Sequence, residues 1–187
     1  MRLRSAFRKD WEFESPHAHQ HDMTYKFSPI KNKEELHSAI SYVAVAVSEL
    51  LQKVTGDMAP ITSLSVFSHD DDEYAFLCGL LKTMGTGVGE VNGPRVALHE
   101  PMRAGGHTIT HLRIRNPDPD KPQVGCADLD VADYFAFKNK NLSTHLQNLK
   151  LIVRPDYELI ELFDKDSDVL GYVLSQPERS KKGLETK

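Results

Sequence analysis

Asn116-Pro-Asp-Pro-Asp-Lys-Pro122 sets three prolines within seven residues, and no other stretch restricts the fold of this chain as much. Proline lacks a backbone N–H and pushes the residue before it into extended conformations, so neither a helix nor a central strand can run through. The segment must be a connection, and the apolar pattern runs in the same order on either side of it. Upstream, Ile61–Ser68 alternates and is rich in β-branched and aromatic residues, which reads as a strand. Asp70-Asp71-Asp72 then opens a helix to about Met84, its acids complementing the helix dipole. Gly85, Gly87 and Gly89 read as a helix stop and a flexible bend. Val88–Val91, Pro94–Glu100 and Thr108–Arg115 come next as strands, with Asn92-Gly93 a hairpin turn between the first two. Downstream, Gln123–Val131 reads as a strand and Asp133 to about Leu146 as a helix. Leu149–Arg154, Tyr157–Asp164 and Val169–Ser175 are again strands. The order strand, helix, strand, strand, strand thus occurs twice, without residue identity between the copies.

Ahead of the first copy, Leu36, Ile40, Val43, Val47, Leu50, Leu51 and Val54 recur at helical spacing. Asn32 and Glu35 supply capping-box chemistry at the start of this helix, and Gly56 stops it. Residues 1–22 show no periodicity and read as a disordered extension, with Met23 as a candidate start of the folded part. His17, His19 and His21 on that extension suit an adventitious transition-metal site. The expected organisation is therefore an extension over 1–22, a helical segment over 23–60, the paired units over 61–176 and a disordered tail over 177–187.

The 187 residues carry a formal net charge of −4 with no long basic stripe, which argues against nucleic acid as a partner. Cys78 and Cys126 fit neither a disulfide framework nor a Cys-x-x-Cys unit and read as reduced, mostly buried thiols. No window reaches the length of a membrane span, and no apolar segment comes after Met1-Arg-Leu-Arg-Ser as in a secretory signal. A cytoplasmic protein is the expectation.

Chemistry gathers between Arg95 and Asp130. Successive strand side chains point to opposite faces, so His111, Arg113 and Arg115 share one face of their strand, and Asp128 and Asp130 share one face of theirs. His99 alternates with Ala97 and Arg95. Glu161 shares a face with Tyr157, Leu159 and Phe163, where a carboxylate needs a cationic or metal partner. Three uses of these groups compete. His111, Asp128 and Glu161 are candidate metal ligands. Arg113 and Arg115, with His99, are candidates for planar recognition of a carboxylate or phosphate. A bland alternative pairs Arg113 and Arg115 with Asp128 and Asp130 as a salt-bridged sheet face without a ligand. His107 falls in Met102-Arg-Ala-Gly-Gly-His107, whose glycines read as a mobile flap over a cleft, and Tyr134-Phe-Ala-Phe137 reads as core.

Paired units of this order resemble the vicinal-oxygen-chelate superfamily of glyoxalase I, extradiol dioxygenases and bleomycin-resistance proteins. The likeness spans about residues 61–175. Within that superfamily the chain looks most like the YecM-like bacterial proteins, which also place a helical segment before the first unit. The residues that carry this are Thr62-Ser-Leu-Ser-Val66, Asn92-Gly93, Leu98-His-Glu-Pro101, Asn116-Pro-Asp-Pro119 and Gly125-Cys-Ala-Asp-Leu-Asp130. The resemblance implies an α+β domain in which two β-α-β-β-β units form an open barrel-like sheet, preceded by an N-terminal helix, with the site on the concave side. It also implies a divalent metal (Zn, Ni, Mn or Fe) held by His and Glu. Where the YecM-like pattern has histidines, however, this chain has Ser63 and Asp128, and a serine hydroxyl is a poor ligand for such metals.

Two functions stand as expectations. One is a metal-dependent lyase, isomerase or dioxygenase acting on a small oxygenated substrate. In it His111 and Asp128 would be ligands, Glu161 or Asp130 a base or third ligand, and Arg113 the anchor of an anionic group. The other is a non-catalytic binder of a small anionic molecule. A third reading is an interaction protein whose homodimer is made by the Asn32–Val54 helix or by sheet edges. A small-molecule ligand is expected, and neither nucleic acid nor membrane.

Overall fold

The computed structural model describes residues 25–175. The readings of the extension, with His17, His19 and His21, and of the tail lie outside the described residues.

The first helix, α1, spans Lys33–Thr55. Asn32 Oδ1 accepts from the Glu35 backbone N–H at 2.8 Å, satisfying one of the amides a helix start leaves open. The Glu35 carboxylate reaches back to the Lys31 N–H at 2.7 Å, one residue earlier than a capping box would place it. Gly56 closes the helix in the left-handed region at φ 73°.

The first unit is β1 (Ile61–Phe67), α2 (Asp71–Met84), β2 (Gly85–Gly89), β3 (Arg95–Ala104) and β4 (His107–Arg115). The second is β5 (Gly125–Leu129), α3 (Tyr134–Asn141), β6 (Leu149–Val153), β7 (Glu158–Leu162) and β8 (Val169–Leu174). Asp70 caps α2 and Asp133 caps α3 through their carboxylates. The fold is α+β, and all eight strands form one open mixed sheet in the order β2-β3-β4-β1-β5-β8-β7-β6. Strand β1 runs parallel to β4 and antiparallel to β5, and β5 runs parallel to β8, so the units meet at the central β1–β5 pair.

One face of the sheet carries the core. Leu64, Val66, Leu112, Ile114, Ala127, Leu129 and Val173 pack there with the apolar stripe of α1 and with Leu77 and Leu81 of α2. Each fully buried leucine, isoleucine or valine among them contributes roughly 1.5–3 kcal/mol. α1 lies over β1, β3, β5 and β8, and α2 over β2, β3 and β4. The apolar face of α1 is thus used within the chain, whereas β2 and β6 end the sheet with one neighbouring strand each. No helix among the described residues is long and apolar enough to cross a membrane.

Three local readings are corrected. The glycines after α2 build a strand, not a bend: a Cβ on Gly85 would overlap the Ala97 carbonyl, so glycine allows β2 to pair directly as the helix ends. Met102–His107 is no flap. β3 continues to Ala104, and Gly105 and Gly106, at φ 57° and 84°, make a two-residue turn into β4. His107 there bonds Ser48 of α1 at 2.8 Å and accepts from the Ile61 N–H at 3.1 Å. α3 ends at Asn141, short of Leu146. Its Tyr134 and Phe137 are core as expected, while Phe135 is exposed.

Candidate functional site

Alternation places every second residue of the central strands on the face away from the helices. Strand register then aligns those residues in rows. Arg95, Arg113, Ser65 and Cys126 lie side by side across β3, β4, β1 and β5. The next row runs His111, Ser63, Asp128, Tyr172 and Glu161 across β4, β1, β5, β8 and β7. All of them except His111 line a cavity of about 550 Å³, within the range of small-molecule sites. Val88 and Gly89 of β2 and Ile152 of β6 also line it, so both edge strands of the sheet contribute to one cavity.

Its charge is lopsided. Arg95, Arg113, Arg115, Lys121 and Arg154 line it, against the carboxylates of Asp128 and Glu161. Arg95 is 3 % exposed, and its Nη2 donates to Ser63 Oγ at 2.6 Å and lies 3.6 Å from Asp128 Oδ2. Ser63 and Asp128 are thereby tied to a cation that the chain itself supplies. Arg115 stacks over the Phe67 ring at 4.8 Å and stands 3.5 Å from Asp118. Arg113 differs from both. Its Nε is buried without a hydrogen-bond partner, and among the described residues no carboxylate pairs with it. A buried donor left unsatisfied costs about 1–3 kcal/mol, which makes Arg113 the group in the cavity with most to gain from an incoming acceptor.

The second unit lines the cavity differently. Tyr172 Oη donates to Glu161 Oε2 at 2.9 Å. Burial chiefly, with Cys126 and the nearby Glu161 carboxylate, pushes the Tyr172 phenol above its ordinary value, so it stays a neutral donor. Cys126 is buried beside Phe67 and Leu170 in a small apolar cluster on this face. His111 stands at the margin. Burial pushes its pKa down, Arg95 pushes it further and Asp128 opposes, so at neutral pH it is uncharged. Its Nδ1 lies 3.0 Å from Thr110 Oγ1.

Of the residues singled out in the sequence, Arg113, Arg115, Asp128 and Glu161 line the cavity. His99 does not; it is exposed near the sheet edge, its Nε2 3.3 Å from Thr86 Oγ1. Asp130 lies past the end of β5, where Oδ2 accepts from Thr62 Oγ1 at 2.7 Å, so it does not extend the Asp128 stripe. The salt-bridged face of Arg113 and Arg115 against Asp128 and Asp130 does not form; Asp128 pairs with Arg95 and Arg115 with Asp118. Arg95, Ser65, Cys126 and Tyr172 were not among the sequence candidates. Arg95 was the one with a signal, since it shares strand parity with His99 and Ala97 beside the Asn92-Gly93 turn.

The donor set does not suit a divalent metal. His111 is not among the residues lining the cavity that Asp128 and Glu161 share. The buried Arg95 guanidinium occupies the space by Ser63 and Asp128, and a fixed cation there repels a second one. Among the described residues no three His, Cys, Asp or Glu side chains converge to hold a metal ion.

No known family model and no curated protein sequence matches this chain. Among solved structures it is similar to structural genomics protein EC4020, with a TM-score of 0.59 at 13 % identity over 89 % of this chain and 100 % of that one. At that identity the likeness is one of fold.

Proposed function

We propose that this protein binds a small organic anion, a carboxylate or phosphate, on the sheet face opposite its helices. The observation that carries the proposal is Arg113, a guanidinium with a buried, unpartnered Nε in a cavity lined by five cationic side chains and two carboxylates. A planar guanidinium suits either anion through parallel N–H···O bonds. Arg95 is held by Ser63 and Asp128 and shapes the floor, while Arg115 and Lys121 add positive potential at one side. The twofold strand-helix-strand-strand-strand order supports a place beside the vicinal-oxygen-chelate proteins, whose two units curl around a shared cleft, and among them beside the YecM-like group. In that setting the chain is a binder whose cleft relies on arginine where an enzyme of this build would use a metal.

Inorganic phosphate, acetate and citrate, titrated by calorimetry against the full chain with chloride at constant ionic strength, test this directly. At least one should bind saturably and raise the melting temperature, and Arg113→Met should weaken it about 10- to 100-fold, the loss expected for a charge-assisted pair. If none binds more tightly than chloride, the anion-binding role is wrong. Stoichiometric manganese, nickel, zinc or iron(II) removed by His111→Ala would instead favour the metal-dependent lyase, isomerase or dioxygenase.

A further inference from the structure

The cavity is not uniformly polar, and its polarity is ordered in space. Its floor, on the central strands, is Arg95, Arg113, Ser65, Asp128 and Tyr172. Its two sides, toward the edges of the sheet, add apolar side chains, with Asn92 and Arg154 as the polar groups beside them. Val88 of β2 and Val91 of the turn after it line one wall, 46 % and 74 % exposed. Ile152 and Leu159, paired across β6 and β7, line the other with Tyr157. None of these five belongs to the buried core of either cluster. Val88 and Val91 face water and Ile152 and Leu159 are half-buried, so an apolar body laid between them would remove apolar area from water.

We infer that the natural ligand is an amphiphile: an anionic head on Arg113, continued by an aliphatic or aromatic body lying between the Val88/Val91 wall and the Ile152/Leu159 wall. This rests on the anion-binding reading and deepens it. The division of labour comes from the two kinds of contact. Arg113 recognises charge and geometry over a few ångströms. The walls recognise apolar area, without direction, and so set the length and bulk of the body attached to the head. A cavity of about 550 Å³ is larger than a bare phosphate or acetate needs. The Tyr172–Glu161 pair on the floor beside the second wall adds one acceptor for a hydroxyl on that body.

Two homologous series separate this inference from the reading beneath it. n-Alkyl phosphates from methyl to octyl, and n-carboxylates from acetate to octanoate, would be titrated calorimetrically against the full chain. In at least one series the affinity should rise about threefold per methylene over the first several carbons, then level off where the walls end. Ile152→Ser and Val91→Ser should flatten that rise while leaving the shortest member's affinity within about twofold. Arg113→Met should weaken every member by a similar factor. Binding of the shortest members with no dependence on chain length would overturn the amphiphile and spare the anion site. A length dependence that survives both wall substitutions overturns the assignment of the walls. Failure of every member to bind overturns the anion site itself.

Discussion

The two halves of this sheet are built in the same order and present different side chains to the cavity. Outward from the centre, the first unit presents Ser65, Arg113 and Arg95; the second presents Asp128, Tyr172 and Glu161. On these strands one half offers guanidinium groups and the other carboxylates and a phenol, with Arg154 the one guanidinium that the second half adds to the lining. The halves also differ in how they are covered. α2 is 14 residues long and lies on its own unit's strands. α3 has 8 residues, and it is α1, from outside the repeat, that packs on β5 and β8. A duplicated topology therefore fixes where strands run but not what each copy presents, and here the asymmetry is what makes a polarised cleft.

The seam between the halves is the place where that contrast is easiest to break. Arg95 crosses from the first unit to Asp128 of the second, and both side chains are almost wholly buried, at 4 % and 11 % exposure. Arg95→Met leaves a buried carboxylate without this partner and should destabilise the chain by about 3–5 kcal/mol in urea unfolding. Arg95→Met/Asp128→Leu together should recover most of that loss. A double variant as unstable as the single one would show that the pair is not what joins the halves.

Cover by α1 is the next largest effect. Ile40→Ala removes a fully buried side chain from the α1 stripe and should cost about 2–5 kcal/mol. Hydrogen exchange should then quicken in β5 and β8 more than in β2. Equal acceleration in β2 would mean that α1 does not serve the second unit in particular.

The two polar floors should respond in opposite ways to losing a group. Tyr172→Phe deletes a made hydrogen bond to Glu161 and should lower stability by about 1 kcal/mol. Arg113→Met deletes a donor that has no partner, so the melting temperature should hold or rise even as anion binding fails. A marked fall in melting temperature would place Arg113 in the scaffold rather than the site.

Acid should find the first unit before the second. Burial lowers the pKa values of His69, His107 and His111 below 6.5, and all three belong to the first unit or its helix connection. The folded state holds these rings neutral, while the unfolded chain takes up protons near pH 6.5. Their contribution is therefore whole above that value, falls as pH drops through it, and stops falling below the depressed folded values. Amide exchange at pH 5.5 should accelerate in β1 and β4 ahead of β7 and β8; the reverse order would show that other groups control the acid response.

Much of this fold was legible locally. Asn32, Asp70 and Asp133 mark helix starts because a short polar side chain satisfies amides two or three residues on, and that chemistry needs no distant partner. Asn92-Gly93 marks its hairpin because both residues accept positive φ, 58° and 106° here. The glycines from 85 to 89 misled because glycine carries no pattern of its own; only Ala97, arriving from β3, shows why a side chain is excluded at Gly85.

The site was half legible. Alternation correctly put His111, Arg113 and Arg115 on one face of β4, since the period of two is a property of a single strand. It failed for Asp130, because β5 ends at Leu129 and β1 shifts register between Ile61 and Ser63. It was silent on which strands stand together. By itself the sequence determined the order of the elements, the starts of the helices and the facing of residues within β4, all consequences of short-range sterics and hydrogen bonding. Only the tertiary structure decided that Arg95 meets Ser63 and Asp128, that Glu161 takes a bond from Tyr172, and that Arg113 faces a cavity without a partner. Those are pairings between strands far apart in the chain, set by how helices and core close on the opposite face.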